Sequence, residues 1–136
     1  MRMNPAPASA APHVLVVDDQ PEVRAMIAAL LAEEGLRTTE AGSAEEAVRC
    51  VAARRFDAAV IDYVLPGTNG VLLLVQFRGL GNGRGLPVVL MSSLAPGKPR
   101  DAACENAARF ACVGFLDKPV TGRRLFAALD TLLSLV

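Results

Sequence analysis

Four short apolar runs, each closed by a polar residue, and one weaker strand, all followed by a helical pattern, constrain this chain more than any other feature. The clearest lies within AAVIDYVLPGTNG, Ala58 to Gly70. Ala58, Ala59, Val60 and Ile61 read as a fully buried strand, and the run stops on a carboxylate, Asp62. Pro66 and Gly67 then enforce a loop, and Asn69 can cap a helix from Gly70. A continuous apolar strand has no polar face to offer water, so its sheet must be covered on both sides. A carboxylate at the carboxyl end of such a strand sits where open α/β sheets bind ligands.

The remaining segments repeat the pattern. Val14 to Val17 is a second apolar run, ending on Asp18-Asp19, and Pro21 suits the first turn of a helix. Val23, Met26, Ile27, Leu30 and Leu31 form that helix's apolar stripe, and Gly35 stops it. Leu36 to Ala41 is a weak strand with two threonines, expected near a sheet edge. Ser43 and Glu46 form a capping box for a helix with the stripe Ala44, Ala47, Val48, Val51 and Ala52, and Asp57 marks the turn into the Asp62 strand. The helix from Gly70 to Arg78 is apolar on all sides, which predicts deep burial, with an exposed partner-facing surface as the alternative.

Gly79 to Gly85 (GLGNGRG) precedes the strand Leu86 to Met91 instead of following one, so it reads as a flexible loop and not a phosphate cradle. An Ala-rich, weakly packed helix follows from Pro99 to Phe110. The fifth strand runs from Cys112 to Leu116, before Asp117-Lys118-Pro119. The last helix, capped near Thr121, buries Leu125, Ala128, Leu129, Leu132, Leu133 and Val136. Strand and helix alternating five times give an α/β, doubly wound parallel sheet.

Composition narrows the chemistry. The 136 residues suffice for one domain with a core, and 52% hydrophobic content rules out a disordered chain. Lys plus Arg and Asp plus Glu are balanced at 14 each, leaving no basic excess for a phosphate backbone. The three cysteines, Cys50, Cys104 and Cys112, have no metal-type spacing and read as small buried hydrophobes in a reducing compartment. His13, the only histidine, is expected at the surface or a strand edge. Residues 1–12 read as a flexible lead-in, and no segment reads as a membrane span, so the expected location is the cytoplasm.

Asp18, Asp19, Asp62, Ser92 and Lys118 all fall at the carboxyl ends of strands, which share one edge of a parallel sheet. Three crowded carboxylates stay ionised together only with a cation among them, and oxygen-only ligands suit Mg²⁺. A carboxylate sharing such a cation can attack a phosphoryl group, with a lysine and a hydroxyl neutralising the phosphoryl oxygens.

From His13 to Val136 the chain resembles the receiver domain of two-component response regulators, a CheY-like, flavodoxin-like (βα)5 fold. The motifs VLVVDDQPEVR, DYVLPGTNG, PVVLMSS and FLDKP carry the resemblance. It implies that Asp62 is the phosphoacceptor. Asp19 and Asp62 would ligate Mg²⁺ directly, Asp18 through water, and the backbone carbonyl of Val64 would complete the set. Ser92 would hydrogen-bond the phosphoryl group, Lys118 would pair with it, and the backbone amides of Tyr63 and Ser93 would donate to its oxygens. Lys118-Pro119 would be a cis bond. Phe115 matches the aromatic that moves inward with the Ser92 hydroxyl, against the plainer reading of a core Phe.

The resemblance also implies a sensor histidine kinase or histidine phosphotransfer protein as donor and an unidentified downstream protein. It admits a phosphorylation-dependent homodimer and implies no direct nucleic-acid or membrane contact. The signalling surface would be that of the last two helices and the fifth strand, and the only reactions those of Asp62 itself. Its rivals are a phosphorylation-independent interaction module and a metal-dependent phosphatase with an Asp nucleophile. Two departures stand out: extra residues in Leu94 to Arg100, and the apolar Val64 and Leu94 where receivers often carry polar residues that tune phosphoryl lifetime.

Overall fold

Parallel pairing of the apolar runs builds the molecule. The computed structural model describes residues 11–92 and 113–133. In chain order these form β1 (His13–Val17), α1 (Pro21–Glu33), β2 (Arg37–Ala41), α2 (Ala44–Ala53) and β3 (Ala58–Asp62). A two-strand hairpin follows, β4 (Val64–Leu65) and β5 (Thr68–Asn69), then α3 (Gly70–Arg78) and a 3₁₀ turn (Gly81–Gly83). The chain continues through β6 (Val88–Ser92), β7 (Val113–Asp117) and α4 (Gly122–Leu133). The order β2-β1-β3-β6-β7, with every neighbour parallel, is the flavodoxin-like doubly wound sheet that the sequence predicts. Its direction of winding reverses between β1 and β3, and the crevice opens there.

Alternation along the strands divides the core into two layers. Leu15, Val17, Ala59, Ile61, Val88 and Leu90 pack with Val51 of α2 and with Leu73, Leu74 and Phe77 of α3. Val14, Val16, Ala58, Val60, Val89 and Met91 pack with Ile27 and Leu31 of α1 and with Leu125, Leu129 and Leu132 of α4. The polar β2 lies at the sheet edge, as its threonines suggest. Among the described residues, no helix is long and apolar enough to cross a membrane.

Local signals set the helix ends. Gly35 has φ +83°, its N–H donates to the Ala32 carbonyl, and the Leu36 N–H donates to the Leu31 carbonyl. That is a Schellman motif, with Leu31 and Leu36 both buried beneath it. The Ser43 hydroxyl accepts from the Glu46 N–H, while the Glu46 carboxylate reaches one residue past the usual capping box, to the Gly42 N–H at 2.8 Å. The Asn69 side chain accepts from the Leu72 N–H, so α3 starts where the sequence places it.

Other expectations need correction. Leu72 and Val75 on α3 are 54% and 48% exposed, so this helix is not buried all round; its apolar residues outnumber the positions that face the sheet. Met26 of the α1 stripe is 44% exposed, because Ile27 and Leu31 lie at the centre of the contact and Met26 at its margin. Ala52 is exposed and Cys50 only half-buried. The glycine-rich segment is an ordered turn: Arg78 donates to the Gly83 and Leu86 carbonyls at 2.8 Å, and Asn82 to that of Val51. Strand β6 begins at Val88 and includes Ser92, two residues later than Leu86. Ser93, Leu94, the helix from Pro99 to Phe110, Cys104, Cys112, Val136 and the first ten residues lie outside the described residues.

Gly70 lets α3 begin against β3. A Cβ there would lie 2.7 Å from the Asp62 carbonyl oxygen and 2.9 Å from Leu90 Cδ2. Gly70→Ala should therefore destabilise the protein by about 1–3 kcal/mol, the usual cost of overpacking, despite alanine's better helix propensity. Urea unfolding checks this, and an unchanged or raised midpoint would show that the backbone yields freely there.

Candidate functional site

The carboxyl ends of β1 and β3 flank the crevice, so the residues that end those strands meet across it. Carboxylate oxygens of Asp18, Asp19 and Asp62 lie within 4.8 Å of one another. Asp18 and Asp62 are buried, and Asp19 is exposed at the mouth. Lys118, just past β7, reaches in from the other side. Its Nζ is 3.2 Å from Asp62 Oδ2 and 3.9 Å from Asp18 Oδ2. Sequence reasoning brought these four side chains to one place, and the structure does the same.

Ser92 is buried at the end of β6, and the Lys118 N–H donates to its carbonyl at 2.8 Å. The Lys118-Pro119 peptide bond is cis. Phe115, paired in register with Leu90, is half-buried against the layer that includes α2 and α3.

Asp18 is where electrostatics are least balanced. Burial pushes its carboxyl above the usual carboxylate value. The Gln20 N–H, donating to Oδ1 at 2.9 Å, and the Lys118 charge oppose that rise, while Asp62 and Asp19 reinforce it. Its other oxygen, Oδ2, is buried with no hydrogen-bond partner. Such an orphan is costly, and a hard divalent cation would relieve it together with the repulsion among the three acids. An all-oxygen, anionic donor set with an open, solvent-facing side fits Mg²⁺.

The hairpin after Asp62 presents Val64. The Gly70 N–H donates to the Tyr63 carbonyl at 2.7 Å, a single bond that closes the base of the hairpin and leaves Val64–Asn69 as the open pair beside it. This register turns the Val64 carbonyl away from the hairpin ladder, while its side chain stands 66% exposed. Pro66 followed by Gly67 at φ +72° makes the tight turn. Tyr63 requires a correction. Its amide, assigned from the sequence to a phosphoryl oxygen, donates to the Met91 carbonyl at 2.8 Å, continuing the β3–β6 ladder. The Ser93 amide lies outside the described residues.

Sequence reasoning missed the residues that hold the Asp18-Asp19 turn in place. Arg24 of α1 donates through Nη1 to the Asp18 carbonyl at 2.8 Å and through Nε to Glu40 at 3.2 Å. The only signal in the sequence was a cation early in the helix that follows a pair of acids.

Comparison with known proteins agrees with this geometry. A family model described as the response regulator receiver domain matches residues 14–130. The transcriptional activator protein PfeR of Pseudomonas aeruginosa is 30% identical over 122 residues, which cover 90% of this chain and 38% of PfeR. The sensory/regulatory protein RpfC of Xanthomonas campestris is 35% identical over 126 residues, 90% of this chain and 16% of RpfC. The chain thus spans well under half the length of these curated relatives. Among solved structures, the receiver domain of a Pseudomonas aeruginosa sensor histidine kinase superposes with a TM-score of 0.79 at 27% identity, covering 92% of this chain and 99% of that one. That structure has a magnesium ion coordinated in its active-site cleft. A family match that begins in β1 and ends in α4, over a sheet of this order, has one meaning: the chain belongs to the response regulator receiver domain family.

Proposed function

We propose that Asp62 accepts a phosphoryl group from a phospho-histidine of a sensor kinase or phosphotransfer protein, in a Mg²⁺-dependent transfer. The observation that carries this reading is three carboxylates within 4.8 Å of one another with a lysine ammonium 3.2 Å from Asp62. In the transfer, an Asp62 carboxylate oxygen forms a bond to phosphorus as the phosphorus–nitrogen bond breaks, its electron pair leaving with the donor's imidazole. Mg²⁺, when bound, withdraws charge from the phosphoryl oxygens. Asp19 and Asp62 would hold it, Asp18 would act through water, and the Val64 carbonyl would complete the protein ligands. Lys118 exchanges its contact with Asp62 for one with the phosphoryl group, and the Ser92 hydroxyl donates to another phosphoryl oxygen. Tyr63 stays on Met91 and is left out of this set.

The added charge biases an equilibrium between two arrangements, because the phosphoryl group binds Ser92 and Lys118 better in one of them. Phe115 follows Ser92 inward, and the surface around β7 and α4 changes for a downstream protein. A donor of this chemistry places the domain in the cytoplasm. A phosphatase with an Asp nucleophile would want a second carboxylate two residues on, and the exposed apolar Val64 stands there.

Incubation with acetyl phosphate and Mg²⁺ should add one phosphoryl group to the parent by mass spectrometry, and none to Asp62→Asn or in excess EDTA. Labelling of Asp62→Asn at the parent's level would reject Asp62 as acceptor. Val64 cannot orient a water for attack, so Val64→Asn should shorten the acyl-phosphate half-life severalfold; an unchanged decay rate would assign hydrolysis to other groups.

The raised Asp18 value also has a definite sign. The folded state holds this proton more tightly than the unfolded chain, so as pH rises from the ordinary carboxylate value through the raised one, ion-free stability falls and stays lower. Asp18→Asn keeps an acceptor for the Gln20 N–H and removes that cost. Its melting midpoint in EDTA at pH 7 should exceed the parent's by a few degrees, and Mg²⁺ should stabilise the parent more. A lower midpoint for Asp18→Asn in EDTA would show that Asp18 is not the strained member of the cluster.

A further inference from the structure

The turn that carries two of the three acids is held by groups outside the acid cluster. The Asp18 N–H donates to the Ala41 carbonyl at 3.2 Å, the Gln20 N–H donates to Asp18 Oδ1, and Arg24 Nη1 donates to the Asp18 carbonyl. That carbonyl lies in the plane of the peptide joining Asp18 to Asp19, so fixing it fixes the direction from which Asp19 projects. Arg24 is itself held. Its Nε bonds Glu40 of β2 at 3.2 Å, and a Cβ on Gly42 would come within 2.9 Å of Nη1, so the glycine leaves the guanidinium its place. The Arg24 side chain is 19% exposed, so it is well shielded from solvent.

We propose that Arg24 is a positioning residue that sets the Asp18-Asp19 turn in its cation-binding geometry, with Glu40 holding Arg24 in turn. The inference rests on the reading of the acids as a Mg²⁺ site, and the two can fail separately. Its sign separates it from a plain charge effect. A cation beside the acids competes electrostatically with Mg²⁺, so removing it would tighten Mg²⁺ binding if charge alone mattered. Removing an orienting contact weakens binding instead, typically 10- to 100-fold for groups behind metal ligands.

The test is calorimetric titration of Mg²⁺ into the parent, Arg24→Ala, Arg24→Lys and Asn82→Ala, each checked for native circular dichroism. Asn82→Ala removes the remote bond to the Val51 carbonyl and serves as the control for general loosening. Arg24→Ala should bind Mg²⁺ about 10-fold more weakly or worse. Arg24→Lys, whose ammonium can reach the same carbonyl, should recover most of that loss, and Asn82→Ala should match the parent. Parent-like or tighter binding by Arg24→Ala overturns the proposal, as does an equal loss in Asn82→Ala. Should Arg24→Ala not fold, Arg24→Met decides, since it keeps an apolar stem and removes the bond to the Asp18 carbonyl: weaker binding supports the role and parent-like or tighter binding rejects it. A parent that binds no Mg²⁺ rejects the metal-site reading itself.

Discussion

A carboxylate taken out of water must be compensated, and the open edge of this sheet is arranged around that demand. Asp18 sits at zero exposure with one oxygen on the Gln20 amide and the other without a hydrogen bond. Lys118 compensates in part, from 3.9 Å, but it stands closer to Asp62. One ammonium shared between two buried acids, with a third at the mouth, leaves an excess of negative charge. A phosphoryl group would bring yet more of it, so the proposed transfer would need added positive charge. The proposed metal binding and phosphoryl acceptance would therefore both answer one imbalance.

The topology creates the imbalance. Helices on both faces seal the two apolar layers, so polar side chains from different strands can meet only at a sheet edge. Reversal of winding between β1 and β3 opens that edge at one point. The hairpin and α3 then pack tightly behind Asp62, where Gly70 meets the Asp62 backbone. The Asp62 main chain is thus rigidly backed, while its carboxylate faces the crevice.

Much of this was legible from the residues because it depends on local spacing. Apolar runs gave the strands, and Gly35, Ser43 and Asn69 gave helix ends, since each acts on backbone groups within a few residues. What escaped depends on distant neighbours. Periodicity marks Met26, Leu72 and Val75 as apolar but cannot say where the packing partner ends. The order in Gly79–Gly85 comes from Arg78 and Asn82 reaching across turns, which glycine content alone does not reveal. The Tyr63 amide went to a sheet neighbour, because register between β3 and β6 is a three-dimensional fact. Arg24 could be seen as a charge, but its target is a main-chain oxygen, which leaves no trace in side-chain patterning.

Strand β2, with the sequence RTTEA, forms one border of the sheet, and among the described residues no further strand pairs with its outer side. Its side chains discourage recruitment of one. Arg37 bends back to clasp the Ala11 carbonyl through two nitrogens, and Glu40 is tied to Arg24. An intruding strand would have to accommodate these fixed charges and two threonines with little apolar surface in return. The same bond that steadies Glu40 against α1 thus also guards the sheet against aggregation through its border.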